Sequence, residues 1–167
     1  MTKRLDRLIC ENIPWLHSWL NFVVKNEQNS FRCVQEHQRL EPSLRKNKQI
    51  TIKASLENGV NITVSPWKKI SLDAFPPSAK ASGQYLNSML AVQDARERGY
   101  DEALLLNQDG NIAEGSGQNI FIVKNGKVFT NGESASILMG VTRKSVIQLC
   151  RDLGFEIQIG DLTQEMF

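Results

Sequence analysis

From Gln49 onward the chain alternates short strand signals, closed by Asn-Gly or Asp-Gly pairs, with two helical stretches that each stop at a glycine, and few folds accommodate that order. Ile50, Ile52 and Ala54 alternate with polar residues, Asn58-Gly59 supplies a type I′ turn pair, and Val60, Ile62 and Val64 alternate again, which predicts a hairpin. A loop from Ser71 to Ser78 contains Pro76-Pro77. A helix is expected to start after Gly83, carrying Leu86, Met89 and Leu90, and to stop at Gly99 in the C′ position. Strands are expected at Ala103 to Leu106, Ile112 to Glu114, Asn119 to Val123 and Lys127 to Thr130, with turns at Asp109-Gly110 and Asn125-Gly126. A second helix is predicted from about Thr142 to Leu153, stopped by Gly154 and followed by a strand from Phe155 to Ile159. Asp161 with Gln164 reads as an N-cap with Gln at N3, so a further helix is expected to begin as the sequence ends, and the domain reads as unfinished. The fold class implied is α/β, in the mixed α+β sense.

Residues 1–48 differ in character. They hold tryptophans among polar stretches such as Asn26 to Asn29, without alternation or a hairpin signal. One short amphipathic helix is expected there, around residues 15–24, and the boundary between this segment and the patterned domain is placed at residues 48 and 49. The 15–24 stretch is broken by His17, Ser18 and Asn21 and is shorter than the roughly 20 residues of a membrane helix. It has no small-residue cleavage site after it, so no signal peptide is expected.

Composition narrows the chemistry. Twenty basic and eighteen acidic residues leave a net charge of +2, too little for binding nucleic acid or an anionic membrane by bulk charge. Three irregularly spaced cysteines fit neither a disulfide framework nor a zinc site, and a reducing cytoplasm is the expected compartment. Both histidines, His17 and His37, precede residue 50, which leaves the patterned region without a Ser-His-Asp triad or a His-rich metal centre. Chemistry there falls to lysine, carboxylate, tyrosine or a cofactor.

Lys80 follows the Pro-Pro loop in the run Ser-Ala-Lys-Ala-Ser-Gly. Taken alone it reads as a solvated surface lysine, and a functional reading needs partners. Glu114 ends a short strand before Gly115-Ser116-Gly117, where residues with small or no side chains allow a ligand close to the backbone, although such a run on its own reads first as an ordinary flexible turn. Gly140-Val141-Thr142 opens the second helix, where free N–H groups and the positive dipole end favour an anion; Thr142 can also serve simply as a cap. Together the three supply an amine nucleophile, a carboxylate and a phosphate cradle, the equipment that pyridoxal phosphate requires.

The stretch Glu114-Gly-Ser-Gly-Gln-Asn119-Ile-Phe121, then Val128-Phe-Thr130, then Leu138-Met-Gly140-Val141-Thr-Arg143 resembles the signature of the class IV aminotransferases, pyridoxal-phosphate proteins of fold type IV. Upstream, Ala79-Lys80-Ala-Ser-Gly83-Gln-Tyr85-Leu-Asn87-Ser-Met-Leu90 is similar to the Schiff-base lysine segment of branched-chain amino acid aminotransferases, and Gly99-Tyr-Asp-Glu-Ala103 extends the likeness. The resemblance covers roughly residues 50–167. It implies a partial large domain of mixed sheet and flanking helices, and amino-group exchange between leucine, isoleucine or valine and 2-oxoglutarate. It also implies Lys80 as Schiff-base lysine and proton shuttle, Glu114 at the pyridine nitrogen, Tyr85 at the 3′ oxygen, Leu138 on the ring face, and Val141 with Thr142 at the phosphate. A homodimer follows from the same likeness. The family's smaller N-terminal domain, with its arginine, and the later part of the large domain have no counterpart here; Ser30-Phe31-Arg32 is too slight to stand in for the arginine segment, so a chain truncated at both ends, weak or inactive as it stands, is expected. Two other readings stay open: another class IV activity, such as D-amino acid transamination or the aminodeoxychorismate lyase reaction, and a non-catalytic module that pairs with an intact subunit.

Overall fold

The computed structural model describes residues 59–167 together with the strand segments Phe22–Lys25 and Arg32–Cys33. In chain order the elements are β1 (Phe22–Lys25), β2 (Arg32–Cys33), β3 (Ile62–Val64), α1 (Ser82–Glu97), β4 (Glu102–Leu106), β5 (Ile112–Gly115), β6 (Ile120–Lys124), β7 (Lys127–Thr130), α2 (Val141–Asp152) and β8 (Ile157–Ile159). They form two sheets, one ordered β2-β1-β6-β7-β8 and one ordered β3-β4-β5.

Side-chain alternation explains how the sheets stack. On β6, Ile120 and Ile122 join Leu104, Ile112 and Leu162 in one buried cluster, while Phe121 between them joins Val128, Val146, Ile147 and Cys150. One face of β6 therefore packs on the other sheet and the opposite face receives α2. On β4, Leu104 points into the shared cluster, whereas Ala103 and Leu105 pack with Ala91 and Ala95 of α1. The result is four layers, α1, β3-β4-β5, the larger sheet and α2. Alanines on both sides of the α1 contact let helix and sheet approach closely, so α1 buries small residues and leaves Leu86 and Met89 each 63% exposed.

Several expectations hold in detail. Asn125 (φ 52°) and Gly126 (φ 76°) both adopt the left-handed conformation of a two-residue hairpin turn between β6 and β7. Gly99 (φ 85°) and Gly154 (φ 74°) follow α1 and α2 as expected of C′ residues. Others need correction. The helix expected over residues 15–24 gives way at Phe22–Val24 to β1, which runs parallel to β6 with Phe22 opposite Ile120; an aromatic residue followed by two valines suits a pleated strand better than a helix. Residues 15–21 lie outside the described residues. So does the expected strand at 50–54, the first arm of the predicted hairpin; β3, within the second arm, pairs in parallel with β4, Ile62 beside Glu102. The first helix starts at Ser82, ahead of Gly83, because Ala81 is already extended and serves as its N-cap. At the C-terminal end, Leu162 is buried in the inter-sheet cluster, and the helical turn begins only at Gln164 with Thr163 as its cap, so Asp161 caps nothing. Among the described residues, no helix is long and apolar enough to cross a membrane.

Candidate functional site

β5 carries Glu114, and a register shift decides where it points. Leu105 of β4 stands opposite Glu114 while Leu106 stands opposite Ile112, so Ala113 is an extra residue in β5. Ile112 keeps its place in the inter-sheet cluster, and Glu114, past the bulge, shares the face of Leu105, which is the face covered by α1. Asn131 secures the irregularity: its side-chain amide donates to the carbonyls of Ile112, at 2.9 Å, and of Ala113. The Asn131 carbonyl in turn accepts from the buried guanidinium of Arg143, whose pKa burial pulls down.

The Glu114 carboxylate is buried, and its two oxygens differ. Oε1 accepts from Lys69 Nζ at 2.6 Å, whereas Oε2 accepts two longer bonds, from Asn119 Nδ2 at 3.2 Å and from the Leu138 backbone N–H at 3.3 Å. Burial raises the Glu114 pKa above its ordinary value; the Lys69 charge and hydrogen bond, and the Leu138 N–H, oppose that rise. Asn119 Nδ2 also donates to the Leu138 carbonyl at 2.7 Å, which ties the strand carrying Glu114 to the loop that leads into α2. At Gly140 an added Cβ would come within 2.6 Å of Asn119 Oδ1, so this loop can lie against Asn119 only as bare backbone. α2 then begins at Val141 with no side-chain cap, which leaves its first N–H groups without intrahelical partners and available to an anion.

The expected site residues thus fall into two groups. Glu114 and Leu138 are in direct hydrogen-bonded contact, and Val141 and Thr142 form the helix start three residues later; Val141 is 82% exposed and Thr142 half-buried. Lys80 and Tyr85 lie at the N-terminal end of α1, both exposed, and neither side chain makes a hydrogen bond or ion pair with another described residue. They are held on the same side of the sheet as Glu114 by a hydrogen-bonded path: Asn87 Nδ2 of α1 donates to the Lys68 carbonyl, and Lys69 follows with its ammonium on Glu114. Gln84 Nε2 donates to the Pro76 carbonyl and fixes the loop that carries Lys80 to the start of the helix.

Two participants escape sequence reasoning. Asn119 stands inside the quoted motif, but nothing in the motif shows that its amide bridges Glu114 and Leu138. Lys69 belongs to the run Trp67-Lys68-Lys69, and two adjacent lysines read as solvated; only the main-chain bond from Lys69 N–H to the Leu106 carbonyl at 2.8 Å shows that the second is drawn under the sheet edge.

A buried carboxylate, a bare helix start joined to it and an accessible primary amine fit a ligand with a basic ring nitrogen, an anionic group and a carbonyl. The model of the family described as amino-transferase class IV matches residues 3–167. The chain belongs to this family. It is 40% identical over 111 residues to a branched-chain-amino-acid aminotransferase of Escherichia coli K12, a stretch that covers 66% of this chain and 36% of that protein. A branched-chain aminotransferase from Thermoproteus uzoniensis, solved with norvaline, is 45% identical with a TM-score of 0.63, over 64% of this chain and 36% of its own. The branched-chain amino acid aminotransferase of Thermobaculum terrenum, solved in its PLP-bound holo form, is 38% identical with a TM-score of 0.62, over 64% of this chain and 35% of its own. The chain spans about a third of the length of these relatives, and the shared architecture confirms the α/β class.

Proposed function

We propose that this site binds pyridoxal 5′-phosphate and serves transamination of leucine, isoleucine and valine with 2-oxoglutarate. The observation that carries the reading is the continuous hydrogen-bonded unit of Glu114, Asn119, Leu138 and the α2 start, set on the α1 side of the sheet in a chain 38% to 45% identical to the aminotransferases above. In the same reading residues 49–167 supply the cofactor-binding residues, and residues 1–48 supply none of them but contribute β1 and β2 to the larger sheet.

When bound, the cofactor's pyridine ring supplies the electron sink for removal of an amino acid's α-proton. Glu114 Oε2 is held only by two long bonds from neutral donors, which a charge-assisted bond from a protonated ring nitrogen would outcompete. Thr142 and the N–H groups of the first turn of α2 bind the phosphate. Leu138 contributes an apolar side chain beside the carboxylate, and Tyr85 a phenol donor on the first turns of α1. Lys80 Nζ provides the primary amine that would condense with a carbonyl, releasing water, and once displaced by the substrate's amino group the freed amine would be the base that carries the proton. In its exposed position, water must be kept from that amine by substrate or by surface not included among these elements. The exposed Leu86, Met89 and Leu90 on α1 support assembly with a second copy, a homodimer in a cytoplasmic setting.

Absorbance titration with pyridoxal phosphate, followed by addition of amino acids, tests the reading. The expected result is a saturable visible band that responds to L-leucine, L-isoleucine and L-valine. A response to D-alanine alone, or turnover of aminodeoxychorismate, would move the activity to another class IV reaction. Saturable binding without any response to amino acids would leave a non-catalytic module.

A further inference from the structure

We infer that Lys69 is the positioning residue for Glu114: its ammonium fixes one carboxylate oxygen in an ion pair, leaving the other oxygen to meet a cationic ring nitrogen. The inference rests on the cofactor reading above for its second half only; the hold on Glu114 stands on the ion pair itself.

The side chains of Lys69 and Glu114 are 7% and 10% exposed and meet at 2.6 Å. Two charges so far from water are tolerated when each satisfies the other, and removing one leaves an uncompensated charge. The geometry also assigns the two oxygens different tasks. The short charge-assisted bond is on Oε1, and Oε2 holds only the 3.2 Å and 3.3 Å contacts with neutral donors. A ligand cation approaching Oε2 would displace little.

The main chain that carries Lys69 is itself held in place. The Lys69 N–H donates to the Leu106 carbonyl at 2.8 Å, and the Lys69 carbonyl accepts from Gln108 Nε2 at 2.7 Å. Lys68 Nζ donates to the Gln108 carbonyl at 3.0 Å, and the Lys68 carbonyl accepts from Asn87 of α1 at 3.0 Å. The main chain is therefore pinned to the β4–β5 turn on one side and to α1 on the other. Of the groups that face Glu114, Asn119 from the start of β6 and Leu138 from the loop before α2 are neutral, and among the described residues Lys69 is the charged group that acts on it.

This arrangement gives pH a definite sign. An acid whose folded-state pKa lies above its ordinary 4.5 stabilises the fold below 4.5 and loses that contribution as pH rises through the folded value. Without Lys69 the carboxylate loses the interactions that oppose its rise, so the loss on raising pH becomes larger.

The test compares urea midpoints across about pH 5 to about pH 8 for the cofactor-free wild type, Lys69→Met, Lys69→Arg and the double variant Lys69→Met/Glu114→Gln, together with the dissociation constant of pyridoxal phosphate. Lys69→Met is expected to lose stability with rising pH more steeply than the wild type, Lys69→Arg to follow the wild type, and the double variant to lose the added slope. Affinity for pyridoxal phosphate is expected to fall about tenfold in Lys69→Met and to recover in Lys69→Arg. Should Lys69→Met not fold at any pH, the double variant, which removes both charges, is expected to fold; its failure would overturn the pairing role. Parallel pH curves for wild type and Lys69→Met would overturn it as well. A wild type that never binds pyridoxal phosphate, with the slopes as expected, would leave the hold on Glu114 supported and overturn the role toward the ring nitrogen.

Discussion

Gly140 shows how closely the site is built at the level of single residues. Its backbone is ordinary, φ −59°, so a side chain would be excluded by the 2.6 Å approach to Asn119 Oδ1 and not by conformation. Asn119 is buried and its amide nitrogen already serves both Glu114 and Leu138, so it cannot turn aside without breaking those bonds. Gly140→Ala is expected to cost about 1–3 kcal/mol in urea unfolding, and most of that cost should disappear when Asn119→Ala is already present. Additive losses in that cycle would contradict the contact. At this scale the sequence singles out a residue where it belongs to a motif with its own chemical logic, as Lys80 and Glu114 do. It is silent on Lys69, because burial of a lysine is decided by the main-chain bonds of its neighbours and by the strand edge above it.

Elements were legible wherever a local signal fixes them. The Asn125-Gly126 turn and the glycine stops of both helices need only a few residues to specify, and they form where expected. The bulge at Ala113 has no such signal, since the run Ile112-Ala113-Glu114 reads as a regular strand. Its stability comes from Asn131, nineteen and eighteen positions away in sequence, donating to both flanking carbonyls. Asn131→Leu would remove a side-chain donor from each of those two buried carbonyls. A loss of about 2–3 kcal/mol is expected, with amide exchange faster in β5 than in α2; uniform acceleration of both would argue that the bulge opens only with the whole fold. The strand at Phe22–Lys25 escaped notice for a related reason, as its identity depends on β6 as a parallel partner nearly a hundred residues later.

For the whole molecule, the four layers place α1 on the outside with its large side chains turned away from the core. Leu86 and Met89 at 63% exposure, with Leu90 at 41%, form an apolar face that a second copy would cover under the proposed homodimer. Sedimentation velocity is expected to show self-association that Leu86→Glu with Met89→Glu abolishes; a wild type that stays monomeric across the concentration range would contradict the homodimer. The same layering puts Glu114 and Lys80 on one side of the sheet, although their segments lie 34 positions apart in the chain. Under the proposed function Lys80 is the amine of a pyridoxal-phosphate site organised around Glu114. The most direct measurement is borohydride reduction of the protein with pyridoxal phosphate, followed by peptide mapping of the modified lysine. Labelling concentrated on Lys80, and lowered by Glu114→Gln, is the predicted result; labelling spread over Lys68, Lys124, Lys127 and Lys144 as readily as Lys80 would contradict the account.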